Sequence, residues 1–360
     1  MRGVTGRAGV AVPLVVAALL ATAGCGQKPS GSSEADSSGG GFQACMVLDI
    51  GGVDDHSFNQ GSWAGMQQAA KHDSDIDVSN VTSGSQNDYV PNLEAQVRKG
   101  CGLIIGVGGP MADAVKKVAK KHPDTNFALI DAATGQPNVK GIVYNSAQAS
   151  FLGGYLAAGM TKTGKVATFG GLPIPPVTTY MDGYWEGVQY YNKVNGTHVK
   201  VLGWNENKPK SGTFANSFSD QGKGRQIATA LNRQGADIIL PLAGATSLGT
   251  LAAAKASDGK LNLIWADFDG CKVLPDSCKY FISSVYKNLP DSVAKIVEDA
   301  AGGKFSADSY VGTLANGGVD IAPYHQWADR VPAKLKKGVA KAKSDIISGD
   351  INITSPTQPK

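Results

Sequence analysis

The amino-acid sequence predicts two α/β lobes, each a parallel β-sheet flanked by helices. Short apolar runs alternate with longer amphipathic segments after residue 42, which is the pattern of strands joined by crossover helices. About 320 residues follow the N-terminal region, and that is more than a single hydrophobic core usually supports. The alternation restarts near residue 146, so we expect two lobes.

The first lobe is predicted from its apolar runs and the amphipathic segments between them. Each run is short, as expected for a buried strand, and each intervening segment has helical periodicity. Strands are expected at residues 46–50, 76–81, 103–107, 127–131 and 141–144, with helices at 59–71, 90–98 and 111–120.

The second lobe repeats this alternation. Helices are expected at residues 150–161, 180–194, 222–234 and 247–257, with strands at 165–169, 199–203, 237–240 and 261–267. There follow a strand at 281–285, a helix at 291–300, a strand pair near 310–314 and 319–321, and a terminal helix near 333–348. This tail is too short for a third domain, so we expect it to complete both lobes. Lobe 1 then comprises residues 42–145 and about 285–318, and lobe 2 comprises residues 146–284 and about 319–350.

The N-terminus indicates export. Arg2 and Arg7 accompany an apolar run at residues 10–23, which is too short to span a membrane and fits a signal-peptide core. Small residues before Cys25 resemble the lipobox of bacterial lipoproteins, although Thr22 stands where that pattern prefers Leu. We expect a signal peptide at 1–24 that is removed on export. The lipidated, flexible tether at 25–41 then holds the protein on the extracytoplasmic face of the cell membrane. An ordinary cleaved signal with a coincidental cysteine is the alternative.

The other four cysteines predict two disulfides. Four cysteines permit three pairings, and position favours one of them. Cys45 and Cys101 each lie just before a predicted strand, and adjacent parallel strands would bring these starts together. Cys271 and Cys278 flank a short loop. An exported chain makes free buried thiols the less favoured alternative.

Composition and motifs exclude several classes of function. The net charge of +4 is spread along the chain without a basic cluster, so we expect no nucleic-acid partner. The five histidines lack metal-ligand spacing, and neither a nucleophile elbow nor a phosphate loop is present. Ser284-x-x-Lys287 and Lys162-Thr163-Gly164 match two of the three motifs of penicillin-recognising acyl transferases. The serine motif normally comes first along the chain, and here it comes last. We therefore expect no enzyme activity, no cofactor and no metal.

Polar and aromatic residues gather where predicted strands end. The carboxyl ends of parallel strands form the ligand-binding edge of an open α/β sheet. An Asp after a strand is commonly a helix cap or turn former, but its recurrence at one edge favours a ligand with hydroxyls and a flat ring. The residues concerned are Asp49, Phe58, Asn59, Asp131, Phe218, Gly244 and Asp267.

The most specific motif of the chain is Asp49-x-Gly-x-x-x-Asp-x-Ser-Phe-Asn-Gln60. It resembles the signature of the basic membrane protein family, the lipoproteins that include purine nucleoside receptors. Weaker ones follow in order: Asp88-Tyr89, the segments 151–155 and 169–171, Phe218-x-Asp220, Asp267-x-Asp269 and Ser284-x-x-Lys287-Asn288. This chain departs from the family at Tyr180 and Tyr184, where Phe is frequent, at Gly270, where Gln is frequent, and in the loop 271–278.

The resemblance implies a two-lobed type I periplasmic-binding-protein fold and a solute-binding role in an ABC importer, with permease subunits as partners and a monomeric state. It implies that Phe58 and Phe218 sandwich a nucleoside base, and that Asp131 bonds the base edge with Asn59. Asp267 and Lys287 would bind the ribose, with Asp49 and Gly244 nearby. A sensory binding protein, or a binder of another small polar ligand such as a sugar, is the alternative.

Overall fold

The computed structural model describes residues 41–359. The predicted signal peptide, the predicted lipidation site Cys25 and all but the last residue of the predicted tether lie outside the described residues. Within the described part, no helix is both long and apolar enough to cross a membrane. The chain folds into two α/β lobes, each with a six-stranded sheet flanked by helices, as the sequence predicts.

The first sheet is entirely parallel. Its strands are β1 (Phe42–Leu48), β2 (Ile76–Thr82), β3 (Leu103–Val107), β4 (Asn126–Ile130), β5 (Val139–Tyr144) and β11 (Tyr310–Gly312), in the order β11-β5-β4-β3-β1-β2. Helices α1 (Phe58–His72), α2 (Tyr89–Arg98) and α3 (Ala112–Lys121) pack on these strands, and α9 (Leu289–Ala301) packs on α1.

The second sheet has five parallel strands and one antiparallel edge strand. Its strands are β6 (Lys165–Gly170), β7 (Lys200–Leu202), β8 (Ile238–Leu242), β9 (Asn262–Asp267), β10 (Phe281–Lys287) and the antiparallel β12 (Val319–Ile321), in the order β12-β10-β9-β8-β6-β7. Its helices are α4 (Ser146–Met160), α5 (Pro175–Asn195), α6 (Gln221–Arg233), α7 (Ser247–Lys255), the short α8 (Gly270–Val273) and α10 (Ala333–Ser348). The strand orders of the two sheets are equivalent, position by position.

The sequence predictions of the C-terminal strand pair and of the start of α5 were wrong. The strands near 310–314 and 319–321 do not pair with each other, because β11 extends the first sheet beside β5 and β12 extends the second beside β10. Helix α5 begins at Pro175 instead of residue 180. Proline is well tolerated in the first helical turn, where its missing N–H is not needed, so the two prolines begin this helix and do not precede it.

Glycines allow α4 and α5 to pack closely in the second lobe. A Cβ atom on Gly183 would lie 2.2 Å from the carbonyl oxygen of Ala147, and one on Gly187 would lie 2.0 Å from that of Phe151. Any side chain at either position would therefore separate the helices. Helix α5 also contacts β6, so this packing holds both helices against the second sheet.

The chain passes between the lobes at three places, which lie side by side. It leaves the first sheet after Tyr144, returns to it after Lys287, and crosses again between β11 and β12. The backbone N–H of Asn145 donates to the carbonyl of Gly312 (2.8 Å), and that of Asn288 donates to Gly318 (2.8 Å). These bonds tie the three crossings into one narrow hinge.

Both predicted disulfides are present. Cys45 of β1 is bonded to Cys101, two residues before β3, with 6.0 Å between their Cα atoms. Strands β1 and β3 are neighbours, as the pairing required. Cys271 is bonded to Cys278 and closes the loop that follows β9.

Candidate ligand-binding site

A cleft between the two lobes contains all eight residues predicted to bind ligand. It encloses about 560 Å³ of space between atoms, part of it open to solvent. The predicted residues that line it are Asp49, Phe58, Asn59, Asp131, Phe218, Gly244, Asp267 and Lys287. Tertiary folding thus brings together positions that are up to 238 residues apart in sequence (287 − 49).

The loop after β1 supplies a buried polar network to the cleft. Asp49 Oδ1 accepts hydrogen bonds from the Gly51 backbone N–H (2.9 Å) and from Asn59 Nδ2 (2.7 Å). Burial raises the pKa of Asp49, which these bonds oppose. Asn59 is therefore held in place by Asp49. Its buried Oδ1 has no hydrogen-bond partner among the described residues, so that oxygen can accept from a ligand.

Asp55 caps helix α1 and also faces the cleft. Its carboxylate accepts from the backbone N–H groups of Ser57 (2.9 Å), Asn59 (2.8 Å) and Gln60 (3.1 Å). Burial nevertheless raises the pKa of Asp55 to about 7. Ser57, the residue directly before α1, makes no side-chain capping bond, so Asp55 caps the helix in its place.

Lys287 joins the lobes through two carboxylates. Its ammonium lies 2.6 Å from Asp131 Oδ2 and 3.2 Å from Asp267 Oδ1, and the Lys287 side chain is only 3% exposed. Burial opposes the positive charge, but the two carboxylates outweigh this effect and raise the pKa of Lys287. Lys287 is on β10 of the second lobe and Asp131 follows β4 of the first, so this ion pair crosses the cleft.

Asp131 and Asp267 occupy equivalent positions in the two lobes, after β4 and at the end of β9. Both adopt a left-handed backbone, with φ of 67° and 65°. This conformation is unfavourable for residues with a side chain, although Asp tolerates it better than most. Such strain persists where the surrounding structure enforces it, often at binding sites. Here it accompanies the convergence of both carboxylates on one ammonium.

The aromatic residues come from opposite lobes. Phe58 begins α1, and the Lys287 ammonium lies 4.8 Å from the centre of its ring, in the range of a cation–π contact. Phe218 precedes α6, and its ring lies where a side chain on Gly171 would stand, because a Cβ there would be 2.4 Å from two ring carbons. Gly244, with a φ of 53°, lies beside the Phe218 backbone, where a Cβ atom would be 3.2 Å from the Phe218 carbonyl oxygen.

The lobes are closed against one another at the rim of the cleft. Ser57 Oγ donates to the carbonyl of Ala266 (3.1 Å), and Trp265 Nε1 donates to the carbonyl of His56 (3.1 Å). Ser57 and His56 belong to the first lobe, and the other two residues lie on β9 of the second. With the Lys287–Asp131 contact, these bonds define the closed form.

Sequence reasoning missed several cleft residues. Tyr180 on α5 was noted only as a departure from the family pattern, yet it lines the cleft and its hydroxyl donates to Asp267 Oδ1 (3.1 Å). Starting α5 at its prolines would have placed Tyr180 in the second turn of a helix that begins at the ligand-binding edge. The remaining missed residues are apolar or glycine and carry no local signal: Gly51, Gly108, Gly109, Pro110, Ile174, Pro176, Val177 and Leu242.

Outside the cleft, one cluster of side chains of metal-binding type makes its bonds to other groups of the protein. Asp269, Cys271 and His325 place potential ligand atoms within 4.8 Å of one another. The Cys271 sulfur is bonded to Cys278, so it cannot act as a thiolate ligand. Asp269 caps α8 through the Cys271 N–H (3.1 Å) and contacts His325 Nε2 (2.8 Å).

The molecule has two equivalent α/β lobes, joined by three chain crossings, and a polar, aromatic cleft at the carboxyl ends of both sheets. These features define a two-lobed solute-binding protein. The model of the family described as ABC transporter substrate-binding protein PnrA-like matches residues 42–355. The chain therefore belongs to this family, the basic membrane protein family of the motifs above. Its members are substrate-binding proteins of ABC transporters and not enzymes.

Individual relatives agree with this assignment. The ABC transporter nucleoside-binding protein BmpA of Lactococcus lactis is 30% identical over 87% of this chain and 89% of its own length. An uncharacterized lipoprotein of Pyrococcus horikoshii is 33% identical over 59% of this chain and 52% of its own length. The crystal structure of an ABC transporter solute-binding protein from Aeropyrum pernix superposes with a TM-score of 0.79 at 26% identity, covering 88% of this chain and 94% of that one.

Proposed function

We propose that this protein is an extracytoplasmic lipoprotein that binds a nucleoside, with purine nucleosides as the preferred class, and delivers it to an ABC permease. One observation carries the proposal. Aromatic rings from both lobes, four carboxyl groups and one ammonium line a single cleft between the lobes. A flat base with a hydroxylated sugar is a ligand that uses every one of these groups.

The cleft matches the two halves of a nucleoside. Phe58 and Phe218 offer ring faces from opposite lobes, and aromatic rings favour offset stacking on a heterocycle. Asp131 and Asn59 provide acceptors for N–H donors on the edge of a base. Asp267 and Lys287 lie beside them and suit sugar hydroxyls, which donate to carboxylates and accept from ammonium groups.

The charge of the cleft disfavours phosphorylated ligands. Four carboxylates line it, from Asp49, Asp55, Asp131 and Asp267, against the single ammonium of Lys287. That ammonium is already paired with two of them. A phosphate would meet negative charges that Lys287 does not compensate, in a partly enclosed space where repulsion is stronger than in water.

Calorimetry against nucleosides, free bases, nucleotides and pentoses tests the ligand. We expect at least one of guanosine, inosine and adenosine to bind, and nucleotides to bind far more weakly. Asp131→Ala should weaken nucleoside binding by about 1–3 kcal/mol, the cost of leaving a buried donor unpaired. Phe58→Ala should also weaken it, through lost stacking.

Asp258→Ala is the matched control for Asp131→Ala. Asp258 also has a left-handed backbone, with a φ of 51°, but it is exposed and lies outside the cleft. It should leave binding unchanged. Binding of a pentose without any nucleoside would contradict the ligand assignment and leave only a two-lobed binding protein.

Mass spectrometry of the native N-terminal peptide tests the anchor. We expect the mature chain to begin with an acylated Cys25, because small residues precede that cysteine after a short apolar core. An unmodified Cys25, or cleavage elsewhere, would contradict the lipoprotein assignment. Loss of labelled nucleoside uptake in cells without this protein would separate transport from sensing.

A further inference from the structure

Tyr180 is placed at the centre of the cleft by the early start of α5. It lies in the second turn of that helix, is 2% exposed, and lines the space between the lobes. Its ring also approaches Lys287, whose ammonium lies 5.3 Å from the ring centre. Tyr180 therefore contacts the polar half of the cleft, where the sugar of a nucleoside would lie under the function proposed above.

The Tyr180 hydroxyl has one polar partner among the described residues, the carboxylate of Asp267. It donates to Asp267 Oδ1 over 3.1 Å. Burial, followed by the nearby Asp267 charge, raises the pKa of Tyr180 well above its usual value. The hydroxyl consequently keeps its proton and remains a donor at all physiological pH values.

The contacts of Asp267 leave one oxygen for a ligand. Oδ1 is shared by the Tyr180 hydroxyl and the Lys287 ammonium (3.2 Å). Oδ2 lies 3.5 Å from Ser57 Oγ, which is at the outer limit of a hydrogen bond. The Ser57 hydroxyl makes its shorter bond, 3.1 Å, to the carbonyl of Ala266. The side chain of Asp267 keeps 15% exposure. With Oδ1 held by two donors, Oδ2 is the acceptor that a ligand hydroxyl can reach.

We propose that Tyr180 is a positioning residue that selects ligands bearing a sugar hydroxyl, by fixing the Asp267 carboxylate so that Oδ2 accepts from that hydroxyl. The rotation of a carboxylate about its last torsion is otherwise broad. Lys287 alone does not prevent this rotation, because its ammonium is also drawn to Asp131 at 2.6 Å. A second donor on Oδ1 orients the group before the ligand arrives, and such preorganisation increases affinity. This inference rests on the proposed function, because it assumes that a hydroxylated sugar occupies the cleft.

Tyr184 provides a matched control on the same helix. It lies one turn beyond Tyr180 and is fully buried, and its hydroxyl has no hydrogen-bond partner among the described residues. It is not among the residues that line the cleft. Tyr184→Phe therefore removes the same atom from the same helix without touching Asp267.

The experiment compares wild type, Tyr180→Phe and Tyr184→Phe by calorimetry. Each is titrated with the tightest-binding ribonucleoside of the panel above and with its 2′-deoxy and 3′-deoxy forms, after thermal unfolding has shown that all three proteins are folded. We expect Tyr180→Phe to weaken ribonucleoside binding about tenfold, the scale of a hydrogen bond to a charged group. The substitution should change the affinity for the deoxy form that lacks the selected hydroxyl only slightly. The ratio between the affinities for the ribose and deoxyribose forms should therefore fall towards one. Tyr184→Phe should keep both affinity and discrimination.

Three results would overturn or redirect the inference. Equal weakening of ribose and deoxyribose forms means that Tyr180 only shapes the cleft, and unchanged binding means that its hydroxyl does not act through Asp267. Either result overturns the inference while nucleoside binding stands. If wild type binds no nucleoside, the proposed function fails separately. Ribose and 2-deoxyribose then replace the nucleosides, and discrimination that survives Tyr180→Phe overturns the inference.

Discussion

Lys287→Met is expected to open the cleft of the ligand-free protein. The substitution removes the ammonium that lies 2.6 Å from Asp131 and 3.2 Å from Asp267, both largely buried at 8% and 15% side-chain exposure. Removing one partner of a buried ion pair typically costs about 3–5 kcal/mol, because the remaining charge is uncompensated. In this protein, loss of the ammonium leaves the carboxylates of Asp131 and Asp267 facing each other across the cleft.

Separation of the two lobes relieves this repulsion at a lower free-energy cost than unfolding of the protein. At the rim, opening breaks the Ser57–Ala266 and Trp265–His56 hydrogen bonds. Each contributes about 0.5–1.5 kcal/mol, so the two together oppose opening by about 1–3 kcal/mol. This is less than the penalty of keeping both carboxylates buried. We therefore expect the variant to relieve its charge repulsion by separating the lobes and hydrating Asp131 and Asp267.

Small-angle scattering and denaturant unfolding together test this reasoning. The radius of gyration of ligand-free Lys287→Met should exceed that of wild type, while its unfolding free energy falls by less than about 3–5 kcal/mol. Adding Asp131→Asn should restore much of the compaction by removing one of the facing charges. Lys295→Met is the control, since it removes an exposed helix pair with Asp299 worth at most about 0.5 kcal/mol. Identical scattering of wild type and Lys287→Met, with unchanged stability, would refute the role of Lys287 in closure.

Three further predictions follow from other contacts. Ser57→Ala should reduce the closed population measured by scattering, because it removes a hydrogen bond between the lobes. Ser62→Ala removes a hydrogen bond within α1 and should leave that population unchanged. Equal effects of the two substitutions would contradict the role given to Ser57. Serine at both Cys45 and Cys101 should cost about 4 kcal/mol of unfolding free energy, and serine at both Cys271 and Cys278 only about 2 kcal/mol, because chain-entropy losses grow with a separation of 56 against 7 residues; denaturant unfolding that ranks them in reverse would refute this account. Burial raises the pKa of Asp55 to about 7, so the folded state retains a proton that the unfolded chain releases above about pH 4. Asp55 should thus lower stability as pH rises from about 4 to about 7, by about 1.4 kcal/mol per pKa unit, and an Asp55→Asn variant with the wild-type pH slope would contradict this.

Strands of the sheets were predictable because they are short, apolar and buried. The prediction for β3 matches the structure at both ends, and that for α10 does so as well. Helix α4 was predicted to start four residues late, because nearly all of it is buried and an amphipathic pattern is therefore missing from its sequence. The edge strands β11 and β12 were assigned to one pair, since sequence proximity says nothing about which sheet a short strand joins.

Residues of the cleft were predictable where a polar side chain follows a strand. Asp49, Asp131 and Asp267 all lie at such ends, and they line one cleft because parallel strands place their carboxyl ends at one edge. Which polar group contacts which was not predictable. Asn59 bonds Asp49, and Lys287 binds Asp131 and Asp267 at once, because these contacts depend on how far one lobe has closed on the other.

The sequence by itself determined the class of fold, the alternation of strands and helices, the two disulfide pairs and part of the lining of the cleft. These follow from local periodicity, from the positions of the cysteines, from the rule that links a strand end to a sheet edge and, for Lys287, from the family resemblance. Tertiary structure alone decided the closed arrangement, the sharing of one ammonium by two carboxylates and the role open to Tyr180. These features join residues such as Tyr180 and Asp267 from different elements, and their energies depend on burial and on distances of a few ångströms, which no local pattern in the chain encodes.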